Sequence, residues 1–414
     1  MLILRMSTFP ILVGIWLLTI SMGSGVALAE LPVSPHDAPP TGFQKVNGID
    51  LGQFRVTGEI FETIRSTNNL LQDSQSIDDT VSLTTLELGL AGKLGNFLIT
   101  ASGKAIFKRP LDRDDKKAHE TDYWLQGQYY FNEGFNLAAR HEIDDDEVEA
   151  SLAGQINGFT NTSVLTESYI VRSDYSAGSY YTIFTGSWVD VDTTVDIESA
   201  FFTQLLNLDR VETTLANETG RKVGGINLYA KLVASQIDYR GTSSAVPQDR
   251  DSDGGAIAFG TRRLFGPVRA EIEAGYVMRK FDVSAIRDYE TFLGHVDLRW
   301  PLDDSNSVHF KVQRLFLETS IVNSPGLIGT EAIVSYRHIF QPGLYADIAF
   351  IRDNVDTVDI RNDIVSFAIE GEIHYAATDA LSLRLSGSHA EQNADLSSLD
   401  VDETRFEFSL HYAF

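Results

Sequence analysis

The last ten residues of the chain alternate strictly. Phe406, Phe408, Leu410, Tyr412 and Phe414 fall on one parity, and Arg405, Glu407, Ser409, His411 and Ala413 on the other. Side chains of a β-strand point alternately to its two faces, so this segment has one apolar, aromatic face and one polar face. Two environments accept such a strand. One is the edge of a soluble sandwich, whose core covers the apolar face. The other is a membrane wall, with lipid on the apolar face and water on the polar one.

The beginning of the chain favours the membrane. Arg5 precedes an apolar stretch from Phe9 to about Ile20, and small residues then lead to Ala27-Leu28-Ala29. That order is expected of a secretory signal peptide over residues 1–29, and its apolar core is short for a spanning helix. Residues 30–50 hold Pro32, Pro35, Pro39 and Pro40 and read as an extended periplasmic lead-in. Residues 51–414 are then left for one repetitive unit.

That unit is an alternating run, a long polar connection, an alternating run and a tight turn. Turn-forming residues mark Gly92–Asn96, Asn132–Gly134, Tyr175–Gly178, Gly220–Gly224, Leu264–Pro267, Pro301–Ser305, Gln341–Gly343 and Thr378–Ala380. Between them lie longer acidic connections: Ser66–Thr80, Arg109–Glu120, Asp144–Asn161, Val189–Asp209, Gly241–Asp253, Asp282–Asp288, Asn323–Gly326, Asp353–Arg361 and Gln392–Asp402. The reading predicts an all-β chain: an antiparallel up-and-down transmembrane β-barrel of about eighteen strands, with sixteen as the alternative. An even count places both termini on the periplasmic side, with the short turns.

Individual runs carry the pattern. Val268, Ala270, Ile272, Ala274, Tyr276 and Met278 oppose Arg269, Glu271 and Glu273; Val365, Phe367, Ile369, Ile373 and Tyr375 oppose Ser366, Glu370, Glu372 and His374. Two runs are less regular. Val308–Glu318 changes parity around Arg314, which predicts a bulge or a displaced boundary, and Ser163–Asp174 shows no clean face. In water, about eighteen strands with repeatedly charged polar faces would leave two mismatched surfaces. A closed barrel in a membrane satisfies both faces and leaves no strand edge in hydrocarbon.

Composition excludes several chemistries. The chain has no cysteine, so it has no disulfide, thiolate metal site or cysteine nucleophile, and its formal charge of −25 argues against nucleic acid as a partner. Asp249–Gly254 begins like a calcium loop, but Gly260 stands where the bidentate carboxylate belongs. The histidines form no catalytic or metal constellation. No enzyme activity and no cofactor is expected.

The chain resembles the putative β-barrel porin 2 family. The stretches that carry the likeness are Arg269–Tyr276, Val296–Pro301, Arg361-Asn362-Asp363 and the closing Arg405–Phe414 strand, with Gly52-Gln53-Phe54 and Arg140-His141-Glu142 in the N-terminal half. The resemblance implies a pore in the outer membrane of a Gram-negative bacterium. It further implies an exit channel for an exopolysaccharide or capsular polysaccharide, working with a periplasmic polysaccharide-export protein. The alternative is a general or sugar-specific diffusion porin for nutrient uptake. Outer-membrane lipid, lipopolysaccharide and the barrel-assembly machinery are the other expected partners, the last reading Phe406, Phe408, Leu410, Tyr412 and Phe414 as an assembly signal.

The polar parity of the clearer strands nominates residues for the bore: Arg269, Glu271, Glu273, Asp297, Arg299, Arg337, Asp347, Glu370, Glu372, Arg384, Arg405 and Glu407. Both signs are present, so neighbouring strands can pair charges across the wall. One long connection also holds Ile197, Phe201, Leu205 and Leu208 at helix-compatible spacing, an apolar segment expected either to pack against the barrel mouth or to fold inward and constrict the pore.

Overall fold

The structure is a computed structural model, and it describes residues 48–68, 78–111, 118–148, 162–195, 209–240, 250–284, 286–317, 325–358, 363–394 and 400–414. The expected signal peptide, most of the expected lead-in and the segment carrying Ile197, Phe201, Leu205 and Leu208 lie outside them.

The alternating runs become strands because each can put its apolar parity on one continuous surface. In chain order they are β1 (Ile49–Leu51), β2 (Phe54–Thr67), β3 (Asp79–Leu94), β4 (Phe97–Pro110), β5 (Ala118–Asn132), β6 (Phe135–Val148), β7 (Thr162–Ala177), β8 (Tyr180–Val195), β9 (Arg210–Val223) and β10 (Ile226–Tyr239). They continue as β11 (Ser252–Phe265), β12 (Val268–Phe281), β13 (Tyr289–Pro301), β14 (Asn306–Leu317), β15 (Leu327–Gln341), β16 (Leu344–Thr357), β17 (Asp363–Ala376), β18 (Leu381–Ala394) and β19 (Val401–Ala413). Each of β2 to β19 pairs antiparallel with its sequence neighbours, and β19 returns to pair with β2 from Arg405↔Thr67 to Ala413↔Glu59. The result is a closed barrel of eighteen strands, with β1 added at the start of β2. Ile49 and Asp50, expected in the lead-in, belong to that added strand.

Each expected tight turn lies at one end of the barrel. Gly224 and Gly225 join β9 to β10 with φ of 56° and 82°, the left-handed pair that a two-residue hairpin turn requires. Register shifts occur beside two turns, between Tyr130 and Asn132 and between Ile339 and Gln341.

Three local expectations change. The long connections begin later than the acidic residues suggest: β6 runs to Val148 through Asp144–Asp146, β8 to Val195 and β16 to Thr357. Backbone pairing carries these strands past their apolar stretches into the acidic residues. The irregular run Thr162–Ala177 pairs along its full length with β8. Its faces look unclear because the inner one carries buried Val164 and Ile170 among polar residues. Around Arg314 there is no bulge in β14, which pairs with β15 without a break from Asn306↔His338 to Leu317↔Leu327. Instead β14 parts from β13: their ladder runs from Pro301↔Ser307 only to Gly294↔Arg314. The parity change marks that separation.

The outer wall is a sleeve of exposed apolar side chains, including Leu88, Phe184, Phe259, Phe292, Phe350 and Leu385. No helix among the described residues is long and apolar enough to cross a membrane.

Candidate functional site

Because the strand period is two, every residue opposite the lipid-facing parity is delivered to the inner wall. On β12, Arg269, Glu271 and Glu273 share the face opposite the exposed Ile272 and Met278. The same rule places Asp297 and Arg299 (β13), Arg337 (β15), Asp347 (β16), Glu370 and Glu372 (β17), Arg384 (β18), and Arg405 and Glu407 (β19) on the inner face. Phe406, Phe408, Leu410 and Tyr412 stand exposed on the outer one.

The closed topology brings these charges together in pairs. Arg337 grips Asp347 with two bonds of 2.7 Å each, the parallel fork that guanidinium and carboxylate favour. Arg384 lies 2.5 Å from Glu372, which also accepts from the Tyr345 hydroxyl at 3.2 Å. Asp297 stands between Arg299 at 3.3 Å and His309 at 3.1 Å. Glu407 accepts from Arg65 at 2.6 Å across the closing seam, and Arg405 meets Glu403 at 2.7 Å. Arg269 faces Arg299 on the next strand, Glu273 faces His295, and Glu370 faces Ser388.

The densest cluster is one the sequence reading only half found. Arg262 on β11 donates to Glu218 on β9 at 2.6 Å and to Glu271 on β12 at 2.8 Å, spanning four strands. Its guanidinium lies over the Tyr229 ring, 4.2 Å from the centroid. Tyr229 donates to Glu271 at 3.3 Å, and Tyr181 donates to Glu218 at 3.0 Å. Tyr229 lies directly across from Gly260, and Tyr181 from Gly220; a Cβ at either glycine would overlap the facing ring. The glycines therefore let two tyrosines lie flat on the wall and aim their hydroxyls at the carboxylates.

The signal for Arg262 was present, since it shares the parity of Ala256 and Ala258 opposite the exposed Ile257 and Phe259. It went unread because small residues on the inner parity blur the alternation. Other pairs lie in the N-terminal half: Lys104 with Asp122 at 2.9 Å, and Arg172 with Asp174 at 2.7 Å. Arg140 lies over the Trp124 ring.

The pairs at Arg262, Asp297, Arg337 and Glu372 all fall in the half of their strands nearest the tight turns. Together they form a belt of both signs around one half of the bore. The inner wall of the other half carries buried aliphatic residues such as Val191, Ile237, Ile351 and Val355, with buried pairs such as Arg210–Glu212 among them. Near the loop that resembles a calcium site, Asp251 instead accepts the backbone N–H of Tyr239 at 2.6 Å, which commits its carboxylate to the fold. One trio among the described residues, His389, Glu391 and Asp402, has ligand atoms close enough to hold an ion.

Solved structures with the same architecture are outer-membrane proteins. The Pseudomonas aeruginosa outer-membrane protein OpdK aligns over 87% of this chain and 99% of its own, with 11% identity and a TM-score of 0.52. OccK2 (OpdF) from the same bacterium aligns over 87% and 98%, with 9% identity and a TM-score of 0.52. The FrpB iron transporter of Neisseria meningitidis aligns over 84% of this chain and 62% of its own, with 8% identity and a TM-score of 0.52. At these identities the likeness is one of fold. A comparison with curated proteins found no match. The family model for putative β-barrel porin 2 matches residues 43–414, from just before the first strand to the last residue. With the closed barrel, the lipid-facing sleeve and the charged bore all in place, the chain belongs to the putative β-barrel porin 2 family and is a pore-forming protein of the Gram-negative outer membrane.

Proposed function

We propose that this protein is a diffusion porin that admits small polar solutes. The observation that carries the reading is the belt of wall-to-wall ion pairs. Arg337–Asp347, Arg384–Glu372 and Arg262 with its two glutamates lie flat against the inner face and hold one another in place. Charges fixed in this way present hydrogen-bonding groups to a passing solute without releasing a side chain into its path. Arg269, Glu271, Glu273, Asp297, Arg299, Arg337, Asp347, Glu370, Glu372, Arg384, Arg405 and Glu407 are the proposed lining. Their mixed sign suits neutral or weakly charged solutes. The net charge of −25 adds a long-range field that favours cations at the mouth.

One further fact supports uptake over the exit of a polymer. OpdK, which shares the fold over nearly its full length, has been solved with vanillate, a small aromatic carboxylate. Liposome swelling with sugars of increasing size tests the reading. Swelling with mono- and disaccharides is expected, together with unchanged surface polysaccharide in a deletion strain. Loss of the polysaccharide with no swelling would support polymer export instead.

A further inference from the structure

We propose that the outer wall carries the two halves of a contact between copies of this chain, Glu62 on β2 and Arg352 on β16, and that the protein assembles through them into a closed ring of three or four. Both side chains lie on the lipid-facing parity. Glu62 is exposed between the exposed Ile60 and Ile64 of its own strand, and it pairs across the seam with the exposed Leu410 of β19. Arg352 is exposed next to Phe350 on its outward face and lies over the Phe367 ring of β17, 5.3 Å from the centroid. An ionisable group within an apolar sleeve is costly when lipid is its neighbour, and such groups mark contacts in preference to bare wall. Each finds little compensation nearby. Glu62 accepts from the Thr84 hydroxyl at 3.0 Å, and neither side chain forms an ion pair among the described residues.

Their placement on the cylinder identifies the partner as a second copy. The strand order runs β16-β17-β18-β19-β2, so four steps separate the two residues. Eighteen strands share one turn of the barrel, so four steps amount to about 80°. Identical cylinders touch their neighbours in directions about 60° apart in a ring of three and about 90° apart in a ring of four. Glu62 and Arg352 therefore fall close to the two contact lines of either ring. Their depths agree as well. Glu62 lies eight residues beyond Phe54, and Arg352 eight residues beyond Leu344, each counted from the start of its strand at the tight-turn end. Rotation about the membrane normal preserves depth, so Arg352 of one copy arrives level with Glu62 of the next. The contact has opposite charges on its two sides, and a closed ring leaves neither charge unmatched. His389, Glu391 and Asp402 lie on the outward parity of β18 and β19, within the same arc. In the ring that arc turns toward the axis, which takes three more polar groups away from bulk lipid.

Outer membrane containing the unmodified protein is extracted into polymer-bounded lipid discs, and the particles are weighed by native mass spectrometry. Three or four chains per particle are expected. Single chains or pairs would overturn the proposal, and that result depends on no variant. Two charge variants then assign the contact. Glu62→Lys sets like charges against each other and should lower the assembled fraction roughly tenfold or more. Combining Glu62→Lys with Arg352→Glu should restore it. Heat-modifiable migration on gels shows that each barrel has closed, and a ring that survives Glu62→Lys in a closed barrel overturns the assignment. The chain has no native cysteine, which allows an independent reading. With Glu62→Cys and Arg352→Cys in one chain, oxidation in the membrane should link copies up to three or four and no further. Either single variant should stay unlinked. Linked pairs from a single variant, or no links from the double one, count against the contact.

Discussion

Phe414 closes the barrel through a residue that has no side chain. Its carbonyl accepts from Gly58 N–H at 3.3 Å, and its own N–H donates back to the Gly58 carbonyl at 2.9 Å. The ring lies where a Cβ of residue 58 would be. Gly58→Val should therefore force the terminal ring off the wall and cost about 1–3 kcal/mol, the usual range for overpacking. The check is the temperature at which the folded, fast-migrating form is lost on gels. At the turn between β13 and β14, the Asp303 carboxylate accepts from Asn306 Nδ2 and from the backbone N–H groups of Ser305 and Asn306, each at 2.8 Å. These bonds hold its pKa below the ordinary 3.8, led by the Asn306 side chain. A depressed carboxylate stabilises the fold above its unfolded pKa and loses that contribution as pH falls through its folded value. The stability advantage of wild type over Asp303→Ala should thus be full at neutral pH and vanish in acid below the usual carboxylate range. Thermal melts across pH would show it. Sequence reading placed this turn correctly from Pro301, Asp303 and Asp304. It could not place the glycine pocket, because which glycine meets Phe414 depends on the closing register.

At the scale of elements, Arg262 on β11 connects β9 to β12. Arg262→Met keeps the bulk over Tyr229 and leaves Glu218 and Glu271 without their shared cation. The bore should then become more cation-selective, read as a shift of the zero-current potential under a salt gradient. The paired change Glu218→Gln with Arg262→Met should reverse part of that shift, and an unaltered potential in the single variant would remove the cluster from the permeation path. Parity alone nominates twelve charges for the inner wall, because a residue's face is fixed by its position in the strand. Their partners were not, since pairing Arg337 with Asp347, or Arg65 with Glu407, depends on stagger between strands. The parity change at Arg314 was also legible, but its meaning was not: a bulge and a parted seam leave the same mark on one strand.

On the scale of the whole molecule, the closed sheet makes outside and inside different solvents. The apolar sleeve predicts that the protein requires detergent or lipid to remain folded and gives a β-rich circular dichroism spectrum. A helical spectrum or a freely soluble product would contradict the barrel. The net charge of −25 predicts a cation preference for the open pore that weakens as ionic strength rises, since mobile salt screens the mouth. Single-channel recordings from low to high salt would measure that trend.

The sequence by itself determined the strand period, the alternation of tight turns with long connections, the even strand count and the face on which each charge lies. These follow from local rules: a strand shows its two faces to two solvents, and glycine, asparagine and proline turn the chain. Tertiary structure alone decided which strands share a rung, and with that the ion-pair belt, the glycines that receive aromatic rings and the parting of β13 from β14. Stagger is a property of the closed cylinder, where each strand must fit both neighbours at once, and no single strand encodes it.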